Sequence, residues 1–514
     1  PIDHIPRTRY CAPTHGHDPS TLAIRSPMQR SLLSLFSVTL VTALGAQVPT
    51  LIRTINPGGG ASIEQLTCAG NTAWMSANDG THGKEPWKSD GTSAGTQLVL
   101  DIAPGSANSF PGPFVQFNGT LYFGADNGVD GEQLFSSDGT AAGTQVGLDL
   151  GQIPDLNYGY YFTEFNGRLY FQGHTDAQGR ELWVTDGTPA GTFLLKDIAA
   201  GTGNGDPSGF TVFDGRLFFS AQDANGNELW ATDGTVEGTQ LVVNIRPASG
   251  SSSPTDLAVL GDLLFFTAND GVAGTEPWAT DGTTEGTYLV KDIETGDFGS
   301  NPGGYTAYNG RVWFSALTPD GYRVWSSDGS EGGTLPLPAP SQVPSLPDAF
   351  LAHNGFLYFK AGSAGMGQEL WRSDGTAAGT APLLLTGAAS SPLSATFELV
   401  GCGNRLLFRA TYDETLGQQL YGIDAPVSTT ELLTDLEQLN AYPNPTNGLL
   451  RCALPSGLQN SPVRLFDATG ALVRDFGRAA DTALQLDITD LRSGFYVLAI
   501  GSGAAVQRSV VVKE

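Results

Sequence analysis

Large apolar residues alternate with polar ones over four short runs, and this set of four returns along the chain from Leu51 to Asp424. In one copy the runs are 211–214, 216–221, 227–232 and 239–245, with Leu217, Phe219, Leu229, Leu241 and Val243 in alternating positions. A period of two marks strands with one buried face, so each copy predicts four strands, A to D. Between A and B lie Asn118-Gly119, Asn166-Gly167, Asp214-Gly215, Gly261-Asp262, Asn309-Gly310 and Asn354-Gly355. Most of these pairs favour positive φ and predict tight hairpins.

Strand C carries an aromatic slot filled by Trp87, Phe135, Trp183, Trp230, Trp278, Trp325 and Trp371, with Tyr421 in a degraded eighth copy. Neighbouring slots are 46 to 50 residues apart, a period that indicates a solenoid or propeller. One such unit buries too few side chains to offset the entropy of ordering it, so the sheets must stack on each other. Four antiparallel strands per unit match β-propeller blades. The eighth copy offers three strands (396–401, 406–411, 418–423) and no D-G-T-x-x-G-T. Residues 51–58 precede the first strand A and resemble strand D at 289–293. The expected fold is all-β: an eight-bladed propeller of four-stranded blades closed by that N-terminal strand. The alternative has seven blades and a collapsed final copy. Cys68 and Cys402 are expected to end the A strands of copies one and eight, which makes them a candidate disulfide across the seam.

Composition narrows the partners. Twenty-six basic against fifty-two acidic residues give a net charge of −26. Such a surface repels nucleic acid and anionic lipid. Glycine, at 67 residues, sits at turns without collagen periodicity. Four cysteines with no C-x-x-C spacing argue against a thiolate zinc or redox motif.

Met28-Gln29-Arg30 introduces an apolar run from Leu32 to Leu44 that ends in small residues before Gln47. This is the pattern of a secretory signal peptide at 28–46, too short to span as a mature helix. Signal peptides begin at the initiator, so residues 1–27 are expected to be a non-native upstream extension; the rival is a genuine long n-region. No long apolar segment follows, and no transmembrane segment is expected after signal removal. The remaining boundaries are a propeller at 47–424, a linker at 425–437 and a C-terminal domain at 438–514.

Seven copies of D-G-T or D-G-S, most preceded by E-L-W or E-P-W, resemble the ELWxxDGT repeat proteins of Bacteroidetes. Departures are Tyr322-Arg323-Val324-Trp325 in place of E-L-W, and a Pro-rich stretch at 335–347 in place of a regular strand D. The C-terminal region holds Tyr442, Pro443, Asn444, Pro445 and Gly448, then Gly494 and Tyr496, and Lys513 near the end. That order resembles the type A C-terminal sorting domain of the type IX secretion system. The resemblance implies a small Ig-like β-sandwich, recognition by the type IX secretion machinery, and an extracellular or outer-membrane surface location reached via the periplasm.

Candidate chemistry is sparse. D-G-T-x-x-G-T lacks the converging carboxylates of a calcium loop, and its aspartate is expected to accept backbone N–H bonds within the C–D hairpin. The B–C turns carry Asp79, Asp126, Asp130, Asp176, Asp223, Asp270, Asp320 and Asp413. They are expected to share one face with the long D–A loops at 103–113 and 199–208, the candidate ligand face. No cofactor is implied, apart from weak Ca2+ binding by these turns. His82, His174 and His353 occupy non-equivalent positions, and no G-x-S-x-G lies in a strand-to-helix setting. The reading is a non-enzymatic propeller for binding or adhesion, partnered by an extracellular glycan or protein. A carbohydrate-active propeller enzyme and a purely structural surface protein are the alternatives.

Overall fold

The computed structural model describes residues 49–424 apart from 130, 149–156, 248–249, 341, 364–366, 384–392 and 394–396. In the C-terminal part it describes 441–442, 446–453, 461–467, 472–479, 483–500 and 507–513. The expected extension, signal peptide and linker lie outside the described residues.

Among the described residues from Thr50 to Asp424, the strands form eight antiparallel sheets of four strands each. The fourth sheet is representative: Ser208–Phe213, Arg216–Asp223, Gly226–Thr232 and Gln240–Val243 pair in chain order as A, B, C and D. Trp230 in C faces Phe219 in B and Leu241 in D, so the slot sits at the sheet centre. Strand D shrinks to two residues at Gln97–Leu98, Tyr288–Leu289, Leu335–Pro336 and Ala381–Pro382. An edge strand tolerates proline because one row of its backbone groups needs no ladder partner.

The A–B hairpins use two turn chemistries. Asn118, Asn166, Asp214, Asn309 and Asn354 have φ of 45° to 51° and are followed by glycines that are also left-handed, as a type I′ turn requires. Gly70, Gly261 and Gly403 place glycine first, with φ of 64°, 58° and 59°, as in type II′ turns. Strand A itself is bulged in six sheets, where Gln65, Tyr161, Gly209, Asp256, Gly304 and Ala349 take positive φ. These bulges turn strand A toward the neighbouring sheet. The Asp256 carboxylate accepts the Gly304 N–H at 3.3 Å, and the Glu398 carboxylate accepts those of Gln65 and Leu66.

The sheet of the eighth copy is completed from the other end of the repeat region. Its order is Thr50–Arg53, Gln419–Asp424, Arg405–Ala410, Leu399–Cys402. Thr50 pairs with Gly422, Leu51 with Tyr421 and Arg53 with Leu420. Cys68 and Cys402 are disulfide-bonded with Cα atoms 5.6 Å apart. Cys402 ends its strand, whereas Cys68 is one residue short of the end.

Apolar clusters join sheet to sheet. Tyr170, Leu182 and Val184 of the third sheet pack with Leu217, Phe219 and Trp230 of the fourth. Met75 and Trp87 of the first pack with Ile52, Leu407 and Leu420 of the eighth copy's sheet. Stacking thus supplies the burial that one sheet lacks.

In the C-terminal region, one sheet has the order Leu472–Arg478, Pro462–Asp467, Gly494–Ile500, Gln507–Lys513, and a second contains Ala441–Tyr442, Leu449–Ala453 and Ala483–Asp487. Leu450, Leu465, Leu486, Ile488, Tyr496, Leu498 and Val511 form their shared core.

Candidate functional site

The D-G-T turn is built from its own side chains. Asp90 Oδ1 accepts the backbone N–H of Thr92 at 2.8 Å and its hydroxyl at 2.7 Å; Thr92 Oγ1 in turn accepts the Gly95 N–H at 3.0 Å. Asp138, Asp186, Asp233, Asp281, Asp328 and Asp374 repeat these contacts. A Cβ on Gly95 would lie 2.0 Å from Asp90 Oδ1, so the second glycine is dictated by the first aspartate. The Thr92 hydroxyl and N–H hold the Asp90 carboxyl below its ordinary value, and the same donors act on Asp138, Asp186, Asp233 and Asp281. Ahead of each aspartate, Ser89, Ser137, Thr185, Thr232, Thr280, Ser327 or Ser373 is buried and bonds the hydroxyl of the threonine seven residues on.

The glutamate of E-L-W or E-P-W has a role that the sequence reading missed. Glu85 is fully buried, and its carboxylate accepts the N–H groups of Ile102, Ala103 and Ser109 and the Ser109 hydroxyl. In the third, fourth and fifth sheets Glu181, Glu228 and Glu276 hold the D–A loops that follow through the same three backbone N–H groups, with a serine hydroxyl added for Glu228 and Glu276. Burial pushes Glu85 and Glu181 up to about 7, against the pull of these donors, and raises Glu276 as well. In the eighth copy Gln419 takes over, accepting Ile55 N–H and donating to the carbonyls of Asn56, Gly59 and Leu416. A signal was present: an acid recurring two residues before a buried tryptophan, on the strand's inward-facing parity.

The D–A loops and B–C turns share one end of the sheets. Ser109 in a D–A loop bonds the carbonyl of Lys84, which opens strand C, and accepts the N–H of Asp126, which closes the next strand B. Most of the candidate acids there serve their own turns. Asp79 accepts the N–H groups of Thr81 and His82 and contacts His82 Nδ1 at 2.7 Å. Asp126 accepts Gly128 N–H, Asp223 that of Asn225, Asp270 those of Val272 and Ala273, and Asp413 that of Thr415. Asp176 and Asp320 lie in turns, while Asp130 lies outside the described residues. Among the described residues no three His, Cys, Asp or Glu side chains converge on a metal-sized site.

Glu132 stands out from this structural use of acids. It faces Asp126 across the ladder, and burial, with the Asp126 charge adding to it, pushes its carboxyl up to about 7. A polar cleft of about 240 Å³ opens between the first sheet and the eighth copy's sheet, lined by Ile63, Glu64, Lys84, Arg409 and Gln418 among others.

Of the sorting-motif residues, Tyr442 lies in a short strand, and Pro443, Asn444 and Pro445 lie outside the described residues. Gly448 has φ of 132°, and a Cβ there would meet Thr489 at 2.5 Å. Gly494 opens a strand in which Tyr496 is buried, its hydroxyl donating to the Arg492 carbonyl. Lys513 ends the last strand and is buried.

Residues 440–514 match the family model described as a secretion system C-terminal sorting domain. No curated protein matches the chain. Among solved structures it is similar to a puromycin hydrolase, at 14% identity and a TM-score of 0.40, over 69% of this chain and 60% of that one. A Mycobacterium tuberculosis puromycin-hydrolyzing peptidase gives 12% and 0.45, over 71% and 60%. Oligopeptidase B from Leishmania major gives 10% and 0.43, over 69% and 54%. The chain therefore spans between about half and three fifths of the length of these proteins. It is an all-β protein of four-stranded antiparallel sheets, consistent with a propeller, with a C-terminal sorting domain. That tail implies export by the type IX machinery to the cell surface or outside. No helix among the described residues is long and apolar enough to cross a membrane.

Proposed function

We propose that this chain is an exported, non-enzymatic binding or adhesion protein of the ELWxxDGT-repeat kind, with eight blades closed into a ring by its N-terminal strand. The supporting observation is how the repeated acids are used. The D-G-T aspartates and the glutamates Glu85, Glu181, Glu228 and Glu276 are engaged by hydroxyls and backbone N–H groups, so they hold a scaffold. Variation is left to the end formed by D–A loops and B–C turns, where Phe110, Val129, Val272 and Phe298 are exposed. Exposed apolar side chains grouped on one end suit a binding surface. The secreted protein on glycan and matrix-protein arrays should show saturable binding that Phe298→Ser or Val272→Ser weakens. Absence of binding to either array would remove this reading. Deleting 440–514 should retain the protein in the periplasm.

A second reading, a carbohydrate-active enzyme, draws on Glu132 beside Asp126. An acid held near neutral pH next to another carboxylate is the pairing that glycoside hydrolysis uses. Turnover of chromogenic glycosides, abolished by Glu132→Gln, would favour it over the first.

A further inference from the structure

We infer that the cleft between the first sheet and the eighth copy's sheet is a site for one sugar acid residue, an isolated or chain-terminal hexuronate. This rests on the reading of the chain as an exported binding protein and names a ligand class for it.

The argument starts from Arg409, only 4% exposed. Its Nη1 donates to the Ile63 carbonyl and its Nη2 lies 4.0 Å from Glu398 Oε1. Its Nε has no partner among the described residues. Equivalent B-strand positions hold Ser76, Gly124, Gln172, Ser220, Thr267, Ser315 and Lys360, judged by register against strand C. Neutral residues already make the tie to the next sheet: Gln172 Nε2 donates to Pro207 O at 3.3 Å and Thr267 Oγ1 to Pro302 O at 2.8 Å. A guanidinium is thus more than the tie requires. Burying a cation whose nearest carboxylate stands 4.0 Å away is costly, and an anion entering the cleft that Arg409 lines would lower that cost.

The other walls select among anions. Glu64 pairs with Lys84 at 2.7 Å on the cleft wall, and Glu398 stands behind Arg409. Two carboxylates already balance two cations there, so a doubly charged phosphate is disfavoured more than a singly charged carboxylate. A single carboxylate can still share the Arg409 fork. Glu64 offers acceptor oxygens to sugar hydroxyls. Outside the lining itself, Phe110 is 59% exposed beside the cleft-wall Lys84, its ring centroid 6.0 Å from Lys84 Nζ, and offers an apolar surface to a pyranose ring that extends past Lys84. A volume of about 240 Å³ falls below the ~300–1,000 Å³ of drug-sized sites and suits one monosaccharide. The chain's net charge of −26 opposes a long polyuronate.

The test uses the exported full-length protein, titrated calorimetrically with galacturonate, galactose and inorganic phosphate. Galacturonate should bind at least about tenfold more tightly than galactose, with phosphate no better than galactose. Phe110→Ala should weaken galacturonate about tenfold, and Arg409→Gln should erase the preference for the acid. Lys84→Met, at the cleft wall, carries the same test should Arg409→Gln fail to fold. Equal affinity for galactose and galacturonate, preference for phosphate, or indifference to both Phe110→Ala and Lys84→Met would overturn the assignment. If galacturonate fails while the arrays show binding, only this inference falls. If nothing binds, the binding reading falls with it.

Discussion

Gln419 and Ile55 are hydrogen-bonded at 2.9 Å across 364 residues of chain. The side-chain oxygen of one accepts the backbone N–H of the other, in the position where Glu85, Glu181 and Glu276 hold their own loops. A substitution of the repeat's acid by its amide follows from the different partners: this loop turns carbonyls as well as N–H groups toward the side chain.

Gln419→Leu should therefore cost about 2–4 kcal/mol by leaving buried backbone groups unpaired. Gln419→Glu should also destabilise, because a carboxylate cannot donate to Asn56, Gly59 and Leu416. Facing three carbonyls, the introduced acid would have its folded pKa raised, so its penalty should grow as pH rises. Denaturant melts at pH 5 and pH 8 check both.

The disulfide between Cys68 and Cys402 spans 334 residues. Closing so long a loop is worth about 2–5 kcal/mol. Cys402→Ser, or reduction, should lower the melting midpoint while far-ultraviolet dichroism stays β-rich. An unchanged midpoint would show that the paired strand at Thr50–Arg53 already holds the seam without the bond.

Within the turn, a Cβ on Gly238 would stand 2.0 Å from Asp233 Oδ1. Gly238→Ala should destabilise by about 1–3 kcal/mol through this overpacking. Asp233→Ala should also cost stability by freeing the N–H and hydroxyl of Thr235. The double variant should be less than additive, since removing the aspartate removes the clash.

Stability should depend on pH in two opposite ways. Glu85 and Glu181 are raised from 4.5 to about 7, so their contribution is full below 4.5 and is lost as pH climbs through 7. Asp90, Asp138, Asp186 and Asp233 lie below 3.8; their contribution is present above that value and lost as pH falls through the folded pKa. The melting midpoint should be higher at pH 5 than at pH 8 and should drop again in strong acid. Glu85→Gln should shallow the decline between pH 5 and 8; an unchanged slope would remove Glu85 as its source.

Elements set by neighbours in sequence were legible in advance. Alternation in copies such as 211–245 identified strands, Asn-Gly pairs located hairpins, and Asp90 with Thr92 sit close enough to bond whatever surrounds them. The strand at Thr50–Arg53 was legible for another reason: the eighth copy lacked a strand that only a look-alike segment could supply. The loop-holding role of Glu85 was missed because the loop that donates to it lies 17 to 24 residues downstream, beyond any local spacing rule. The B–C aspartates promised a ligand face, yet the carboxylates of Asp79, Asp223 and Asp270 are engaged by their own turns.

By itself, then, the amino-acid order determined the repeated strands and turns, since these depend on side-chain periodicity and on backbone torsions a few residues apart. Only the tertiary structure decided what meets at the seam. Arg409 reaches the Ile63 carbonyl and lines one cleft with Glu64 and Lys84, and contacts across more than three hundred residues carry no trace in local pattern because burial and charge act through space.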